Sequence, residues 1–462
     1  MFASNQEYQN RLDEYLKILD DVPFLKQNIL DSFSEYKRDH GYELPLKNKL
    51  YLVAIAVPLV SFAEWIVEEA VRNNKNRLYF LSRDGYQIRL IAQKIVKSRE
   101  LNIECRYLNV SRLSMKLPSY KLDIKDSIDS ICVGGVDVTK YKILKRGGLT
   151  DEECKKVLLE LELDSDEFRI LNYKEVIEFK NILQKSRTIE KYIEKYSENA
   201  FENAVGYLKQ EGLLEDDKFA IVDSGWIGTL QRSIQKLIKS VNPEIVVDGY
   251  YFGLYNCPRR ESGNFSAFYF SPLKGLKRKS RFSNSLFETI VSADEATTVG
   301  YGSQDGVIVP LYNNVSNPNA KIINSNVGAL EIFLRHCDFE QNIGRNVIEK
   351  LFELFMSNPT EAEVESYGDN LFSDDVNDGC FKKVAGDLSV EDIKNQRFIN
   401  KLIIILGIKK ATIRESSWLE GSARKAYKDI SDIRKEYQHI RKYKYFVFAR
   451  KQIERMLGIK DV

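Results

Sequence analysis

The sequence predicts an α/β protein with a mostly parallel sheet, a helical insertion and a helical C-terminal domain. Two segments, residues 77–97 and 218–240, carry this prediction. In each, an apolar run ends at a polar turn that contains glycine, and a helical pattern follows. A third apolar run, residues 245–254, follows the second segment. Strands that alternate with helical patterns are typical of a parallel sheet.

The composition is that of a folded, soluble protein with more than one core. The chain has 462 residues, of which 43% are hydrophobic and 29% are charged, and its net charge is +2. This near-neutral charge does not favour nucleic acid as a partner. The six cysteines lie far apart without a C-x-x-C pair, and the N-terminal residues are polar, so we expect a cytoplasmic protein with reduced thiols.

The most apolar stretch is LYLVAIAVPLVSFAEWI, residues 50–66. A membrane span needs about 20 apolar residues, whereas this stretch is shorter and contains Pro58 and Glu64. We therefore expect a buried helix, with a membrane span as the alternative.

The pattern along the chain divides it into four parts. We expect an N-terminal helical segment (residues 1–45), an α/β core (46–118 and 210–310), a helical insertion (119–209) and a helical, basic C-terminal domain (311–462). Within the core, the predicted strands are residues 77–81, 104–110, 218–222 and 245–254. The residues between 254 and 286, and those at 300–306, are expected to form loops and turns.

Two polar turns follow predicted strands, in FLSRDGYQI (residues 80–88) and FAIVDSGWIGTLQ (219–231). In open parallel sheets, ligands bind beyond the carboxyl ends of the strands, and the free amide groups at a helix N-terminus favour an anion. We therefore expect the two turns to lie side by side and to bind a phosphate-bearing ligand. The predicted binding residues are Ser82, Arg83, Gly85, Arg112, Ser224, Gly225, Trp226, Gly228, Thr229 and Gln231.

Carboxylates are the candidate acid–base groups, because the chain has only three histidines. The predicted catalytic residues are Asp84 and Asp223, in the two turns, and Glu288, in a predicted short helix. Asp223 is also the predicted ligand of a Mg²⁺ ion. The alternative for each turn is a purely structural helix cap, in which Asp, Ser or Thr accepts hydrogen bonds from helix amides.

The two turns resemble the signatures of two enzyme superfamilies. IVDSGWIGTL is similar to the D-x-D-G-T signature of haloacid-dehalogenase (HAD) phosphatases, with two residues inserted and without the second Asp. In LSRDG, Ser82 stands where that signature has its nucleophilic Asp. The order and spacing of the turns also resemble type I phosphoribosyltransferases, with Ser224 where a second acid is usual. Both resemblances imply a Rossmann-like sheet that binds phosphate.

Longer stretches resemble a family of bacterial proteins identified as predicted HAD-superfamily hydrolases and associated with surface-polysaccharide biosynthesis. RLYFLSRDGYQI, RYLNVSR, IVDSGWIGTLQ, DGYYFGLY and LFETIVSADEATTVGY carry this resemblance, over residues 45–305. We expect an enzyme that acts in surface-polysaccharide biosynthesis on a phosphorylated or nucleotide-linked sugar, by glycosyl or phosphoribosyl transfer or by phosphate-ester cleavage. The alternatives are a non-catalytic module that binds such a ligand and a nucleotide-directed effector in phage defence.

The C-terminal residues 422–460 form a basic, aromatic segment. Twelve Lys and Arg residues stand there against four acids, with Tyr and Phe residues between them. Such a helix can lie on an anionic membrane surface, so we expect peripheral membrane contact. The alternative is a packed helix with a basic, solvated face.

Overall fold

The fold is α/β, as predicted, in a computed structural model. The structure describes residues 5–133, 138–163, 167–258, 260–337, 339, 343–373, 381–405, 408–411 and 413–457. Its centre is a sheet of five parallel strands in the order β2-β1-β3-β4-β5. The strands are β1 (Arg77–Leu81), β2 (Glu104–Leu108), β3 (Phe219–Trp226), β4 (Asp248–Leu254) and β5 (Asn264–Phe270).

Helices surround this sheet, and short hairpins complete the fold. The helices of four or more residues are Asn5–Ile18, Pro23–His40, Leu46–Tyr51, Leu52–Ala56, Val57–Arg72, Gly85–Ser98, Arg112–Ser119, Ile124–Ile131, Lys140–Arg146, Asp151–Glu160, Tyr173–Leu183, Arg187–Gln210, Thr229–Lys239, Leu276–Arg281, Asn284–Val291, Ala320–His336, Arg345–Phe352, Glu353–Ser357, Glu361–Tyr367, Val390–Asn395, Phe398–Ile405, Leu419–Ala426 and Ile430–Met456. The antiparallel hairpins are β6 (Thr298–Gln304) with β7 (Val307–Tyr312), and β8 (Leu371–Phe372) with β9 (Lys382–Lys383).

The chain changes direction across the sheet between β1 and β3. After β1 it passes outward to β2, and it then returns to β3 on the other side of β1. At such a point the connections leave the two strand ends in opposite directions, which opens a crevice at the carboxyl edge of the sheet. The two predicted turns follow β1 and lie at the end of β3, so the fold places both at this crevice.

The central strands β1, β3 and β4 bury both of their faces. On one face, Phe80 of β1 and Val222 of β3 pack with the helical segment Leu46–Arg72. On the other, Tyr79 and Ile221 pack with helices Arg187–Gln210 and Thr229–Lys239. Side chains alternate between the two faces along a strand. A strand in a sheet that is covered on both sides is therefore a continuous apolar run in the sequence. This is why these strands were recognisable in the sequence.

The apolar segment Leu46–Arg72 is a core helix. It is the one helix within the described ranges that is long and apolar enough to cross a membrane, but 94% of its most apolar window is buried inside the molecule. This position confirms the predicted buried helix.

The insertion has a hydrophobic cluster of its own, which includes Ile131, Leu144, Leu183 and Ile193. The N-terminal helices, in contrast, pack in the same cluster as the sheet, because Tyr15 and Ile29 belong to it. A fourth cluster joins helix Leu419–Ala426 to the C-terminal helix Ile430–Met456. The predicted domain limits stay a prediction.

The structure corrects several predicted element limits. β3 continues through Trp226, where we expected a turn from residue 223, because Gly225 and Trp226 still pair with β4. β2 ends at Leu108 rather than at residue 110, and β4 begins at Asp248 rather than at residue 245. β5 and the β6–β7 hairpin replace expected loops and turns.

Candidate functional site

A cavity of about 520 Å³ opens at the carboxyl edge of the sheet, where β1 and β3 end. It is lined by the two predicted turns, by helix Asn284–Val291, by the start of helix Arg112–Ser119 and by part of the insertion. The predicted site residues that line it are Ser82, Arg83, Asp84, Arg112, Asp223, Ser224, Gly225, Trp226, Gly228, Thr229 and Glu288. The prediction that the two turns lie side by side is therefore confirmed.

Three acidic residues, Asp84, Asp223 and Glu288, form a carboxyl cluster in this cavity. The hydroxyl of Ser224 donates a hydrogen bond of 2.5 Å to Oδ2 of Asp84, which links the two turns directly. Burial, together with the negative charge of Asp84, raises the pKa of Asp223 to about 7 and that of Glu288 to about 8. Burial also raises the pKa of Asp84. The cluster therefore retains protons near neutral pH.

Trp226 fixes the position of Glu288. Its indole packs among four aromatic rings, those of Tyr255, Phe270, Phe282 and Phe287. Its ring N–H donates a hydrogen bond to Oε1 of Glu288. The hydrogen bond favours the ionised form of Glu288 and so partly opposes the effect of burial on its pKa. The buried indole is a fixed wall of the cavity.

Gln87 joins the two helices that present the carboxyl groups, a role that the sequence analysis missed. Its amide donates to the carbonyls of Ile290 (2.9 Å) and Ser292 (3.0 Å), and its oxygen accepts a hydrogen bond of 2.8 Å from the hydroxyl of Tyr51. It lies in helix Gly85–Ser98, which follows the first turn. The one signal in the sequence is a polar residue on the apolar face of that helix.

Ser82 and Arg83 shape the first turn. The hydroxyl of Ser82 donates to the carbonyl of Val110 (2.7 Å) and accepts from the amide of Val110 (2.9 Å), so it ties the end of β1 to the residues after β2. The peptide bond between Ser82 and Arg83 is cis. The guanidinium of Arg83 acts electrostatically on Asp84 and on Glu295, whose carboxylate accepts a hydrogen bond of 2.5 Å from Tyr107.

Two predicted binding residues lie outside the cavity lining. A Cβ on Gly85 would stand 2.8 Å from the carbonyl carbon of Phe80, so this glycine allows the helix to begin close to β1. The amide of Gln231 donates to the carbonyls of Val247 (2.9 Å) and Asn264 (2.7 Å). Both predictions are corrected: these residues support the sheet and its connections and do not face a ligand.

Basic side chains also line the cavity, and two of them, Lys116 and Arg146, were not predicted. Arg112 lowers the pKa values of Asp84, Asp223 and Glu288, which shows that its charge acts on the whole carboxyl cluster. The guanidinium of Arg146 donates to the carbonyls of Ile131 (3.0 Å) and Val133 (2.5 Å). The cavity thus combines acidic and basic walls.

The fit for a metal ion is limited. Within the part of the chain that the structure describes, no group of three or more His, Cys, Asp or Glu side chains is arranged to hold a metal ion. Ser224 donates to Asp84, Trp226 to Glu288, and the backbone amides of Ser224 and Gly225 to Asp223, so all three carboxyl groups are engaged by protein donors. Asp223 as a Mg²⁺ ligand stays a prediction, and acid–base chemistry fits these residues better.

No protein-family model matches the chain, and no curated protein matches it significantly. The resemblances drawn from short stretches of sequence therefore stay predictions, and the geometry of the cavity carries the functional argument.

Proposed function

We propose that the cavity binds a phosphate-bearing or nucleotide-linked sugar and catalyses transfer or cleavage at the sugar carbon that bears the phosphate. The observation that supports this most is the presence of acidic and basic side chains together in one cavity. The carboxyl cluster of Asp84, Asp223 and Glu288 lines it, and so do basic groups that include Arg83 and Arg112, whose charges act on the cluster. By the family resemblance, the pathway is surface-polysaccharide biosynthesis.

The charge pattern suits a reaction at carbon. When a sugar loses a phosphate group, positive charge develops on the ring and negative charge on the departing phosphate. An ionised carboxylate of the cluster stabilises the oxocarbenium-like ring, and the guanidinium groups of Arg83 and Arg112 bind the phosphate oxygens. The positive charge on the ring appears only in the transition state, and the negative charge on the departing phosphate increases there, so this arrangement favours the transition state over the ground state.

The raised pKa values supply an acid and a base at neutral pH. The pKa of Asp223 is about 7 and that of Glu288 about 8, so the cluster holds both protonated and ionised carboxyl groups between these values. The protonated group can donate to the leaving oxygen, and the ionised group can accept a proton from the attacking hydroxyl. Because the groups interact, these roles belong to the cluster as a unit.

Phosphate-ester cleavage suits the cavity less well. Attack at phosphorus places negative charge on the phosphoryl oxygens, which three acidic side chains oppose unless a cation neutralises them. If Mg²⁺ binds, Asp223 is the residue that would hold it, and its charge would favour departure of a phosphate group. At the first turn, Ser82 stands where a HAD phosphatase has its nucleophile, and its hydroxyl is bonded to Val110.

The binding part of the proposal is tested with Arg83→Ala. A thermal-shift screen against sugar phosphates, nucleotide sugars and phosphoribosyl pyrophosphate identifies a ligand, and calorimetry then compares the variants. We expect about ten- to hundredfold weaker binding, because charge-assisted hydrogen bonds are lost, and an unchanged melting temperature. Arg38→Ala, which removes an exposed guanidinium on helix Pro23–His40, is the control.

The results of this experiment distinguish a catalytic site from a non-catalytic binding module. Unchanged affinity in Arg83→Ala, or no ligand among these classes, would contradict the proposed phosphate site. Binding that depends on Arg83 without any turnover of the bound ligand would favour the non-catalytic binding module.

A further inference from the structure

The basic lining of the cavity continues from helix Arg112–Ser119 to the insertion, which contributes Arg146. Arg112 and Lys116 are four residues apart in helix Arg112–Ser119, so they share one face of that helix. Arg146 is the last residue of helix Lys140–Arg146 and lines the same cavity. We name these three residues the distal basic pocket. Tyr120 and Ser130 also line this part of the cavity.

The surroundings of the ammonium group of Lys116 indicate most clearly what this pocket could bind. Among the described residues, neither a hydrogen bond nor a salt bridge joins it to a carboxylate. It lies instead near three guanidinium groups, those of Arg112, Arg146 and Arg232. Burial and these positive charges lower the pKa of Lys116 to about 8. A half-buried ammonium among cations is unfavourable unless an anion joins them.

The acid nearest to this group is already engaged. Asp126, on helix Ile124–Ile131, acts on Lys116, but it forms salt bridges of 3.0 Å with Arg232 and 3.2 Å with Lys236. The net charge around Lys116 is therefore positive. The charged groups with the largest effect on the pKa of Lys116 are Arg112, Arg146, Asp126 and Arg232, and Arg112 also acts on the carboxyl cluster. Arg112 thus connects the carboxyl cluster with the part of the cavity that Lys116 and Arg146 line.

We propose that the distal basic pocket binds a second anionic group of the substrates, a phosphate or a carboxylate remote from the reacting carbon. This inference rests on the proposed function and assigns a role to the insertion, which supplies Arg146 to the pocket. A cavity of about 520 Å³ has the size of a nucleotide or sugar-phosphate site, so it can hold both anionic groups. The substrate class is then a sugar or nucleotide with two separated anionic groups, or a phosphosugar with an anionic acceptor.

Lys116→Met tests the pocket, because it removes the charge and keeps a long, flexible side chain. Arg146 is a poorer choice, since its hydrogen bonds to Ile131 and Val133 support the insertion. The probe is inorganic phosphate, titrated by calorimetry at pH 9 in buffers of different ionisation enthalpy. Lys125→Met removes an exposed charge from the neighbouring helix and serves as the matched control.

In the wild-type protein, we expect phosphate binding at pH 9 to be coupled to proton uptake. Lys116 is largely neutral above its pKa of about 8, and a bound anion raises that pKa. The guanidinium groups facing it stay charged throughout, and Asp126 stays ionised. In Lys116→Met, binding should weaken by about tenfold or more, and the proton uptake should be lost. Lys125→Met should behave as the wild type.

The melting temperature gives an independent readout. Without ligand, Lys116→Met should melt at or above the wild-type temperature, because an uncompensated buried charge is removed. Unchanged phosphate affinity and proton uptake in Lys116→Met would overturn the inference, and so would a large loss of stability, which would indicate a structural role. Loss of phosphate binding in Lys116→Met without any turnover in the wild type would retain this pocket and refute the proposed catalysis alone.

Discussion

Asp223 shows how position changes the chemistry of a residue that could have been a simple cap. Its carboxylate accepts hydrogen bonds from the amides of Ser224 and Gly225, as a cap would, and these lower its pKa. Burial and the charge of Asp84 act in the opposite direction and prevail, since the pKa rises to about 7. A structural turn needs only the hydrogen bonds, so the buried charge points to function.

The raised pKa of Asp223 predicts how the stability of the protein depends on pH. In the unfolded chain, Asp223 titrates near its ordinary pKa of 3.8, whereas in the folded protein it titrates near 7. The folded state therefore holds the extra proton between these values, and the contribution of Asp223 to stability falls as the pH rises from about 4 to about 7. Asp223→Asn should raise the melting temperature at pH 8 by about 2 °C or more and have little effect at pH 4.5.

The control is Asp305→Asn, on the exposed turn between β6 and β7, where Asn tolerates the positive φ as well as Asp does. That variant should show no such pH dependence. An Asp223→Asn variant that is less stable than the wild type at pH 8 would contradict this prediction and would mean that the charge of the carboxylate stabilises the fold.

We expect Trp226 to influence the pH at which kcat/KM falls on the alkaline side of the pH profile. Its N–H group stabilises ionised Glu288, so removing the donor should raise the pKa of Glu288 further above 8. In Trp226→Phe, we expect the basic limb of kcat/KM against pH to move to higher pH, with a decrease in kcat. A profile of unchanged shape and a proportional loss at every pH would indicate that Trp226 only fills space.

At the scale of elements, the carboxyl edge depends on close contact between β3 and β4. Gly225 has a φ of 115°, and a Cβ there would stand 2.3 Å from the carbonyl oxygen of Gly253. Gly225→Ala should therefore destabilise the protein by about 2–4 kcal/mol, measured by chemical denaturation. Gly300→Ala, in β6, is the control, because a Cβ there meets no atom within 4 Å. Similar stability of the two variants would contradict this strand geometry.

The sequence predicts the central strands and both turns because β1 and β3 are continuous apolar runs that end at polar residues. It does not reveal β5, whose residues Asn264–Phe270 begin exposed and become buried only at the end, and which lies at the edge of the sheet. Gln231 misled the prediction because it follows the polar turn in sequence, while the helix directs its amide to Val247. Lys116 joins the cavity only through the tertiary position of its helix, which no local pattern encodes.

At the scale of the whole molecule, the C-terminal helix Ile430–Met456 is partly a structural element. The ammonium of Lys444 contacts Glu420 at 2.7 Å, and the guanidinium of Arg455 donates to the carbonyl of Tyr255 at 2.7 Å. The ring of Phe448 stacks on Tyr255, which is next to Trp226. Part of the basic charge of this helix is thus paired within the protein, and the helix packs against Tyr255, which directly follows β4.

The exposed part of this helix retains the features for membrane contact. Lys442 and Lys451 are exposed, and the side chains of Phe446 and Ile453 are 51% and 56% exposed. We expect the protein to float with vesicles that contain phosphatidylserine, but not with neutral vesicles, and to dissociate at high salt. Replacing Lys442 and Lys451 by Glu should abolish flotation, whereas Lys174→Glu in the insertion should not. Equal flotation with both vesicle types would contradict this role.

The most direct test of the account is the turnover of Asp223→Asn with the ligand that the screen identifies. Asn has the same size and can accept the same amide hydrogen bonds, but it carries no titratable proton. We predict a folded variant that binds the ligand and turns it over at least 100-fold more slowly, while Asp305→Asn keeps full activity. Full activity of a well-folded Asp223→Asn variant would contradict the proposal that the carboxyl cluster is the catalytic centre.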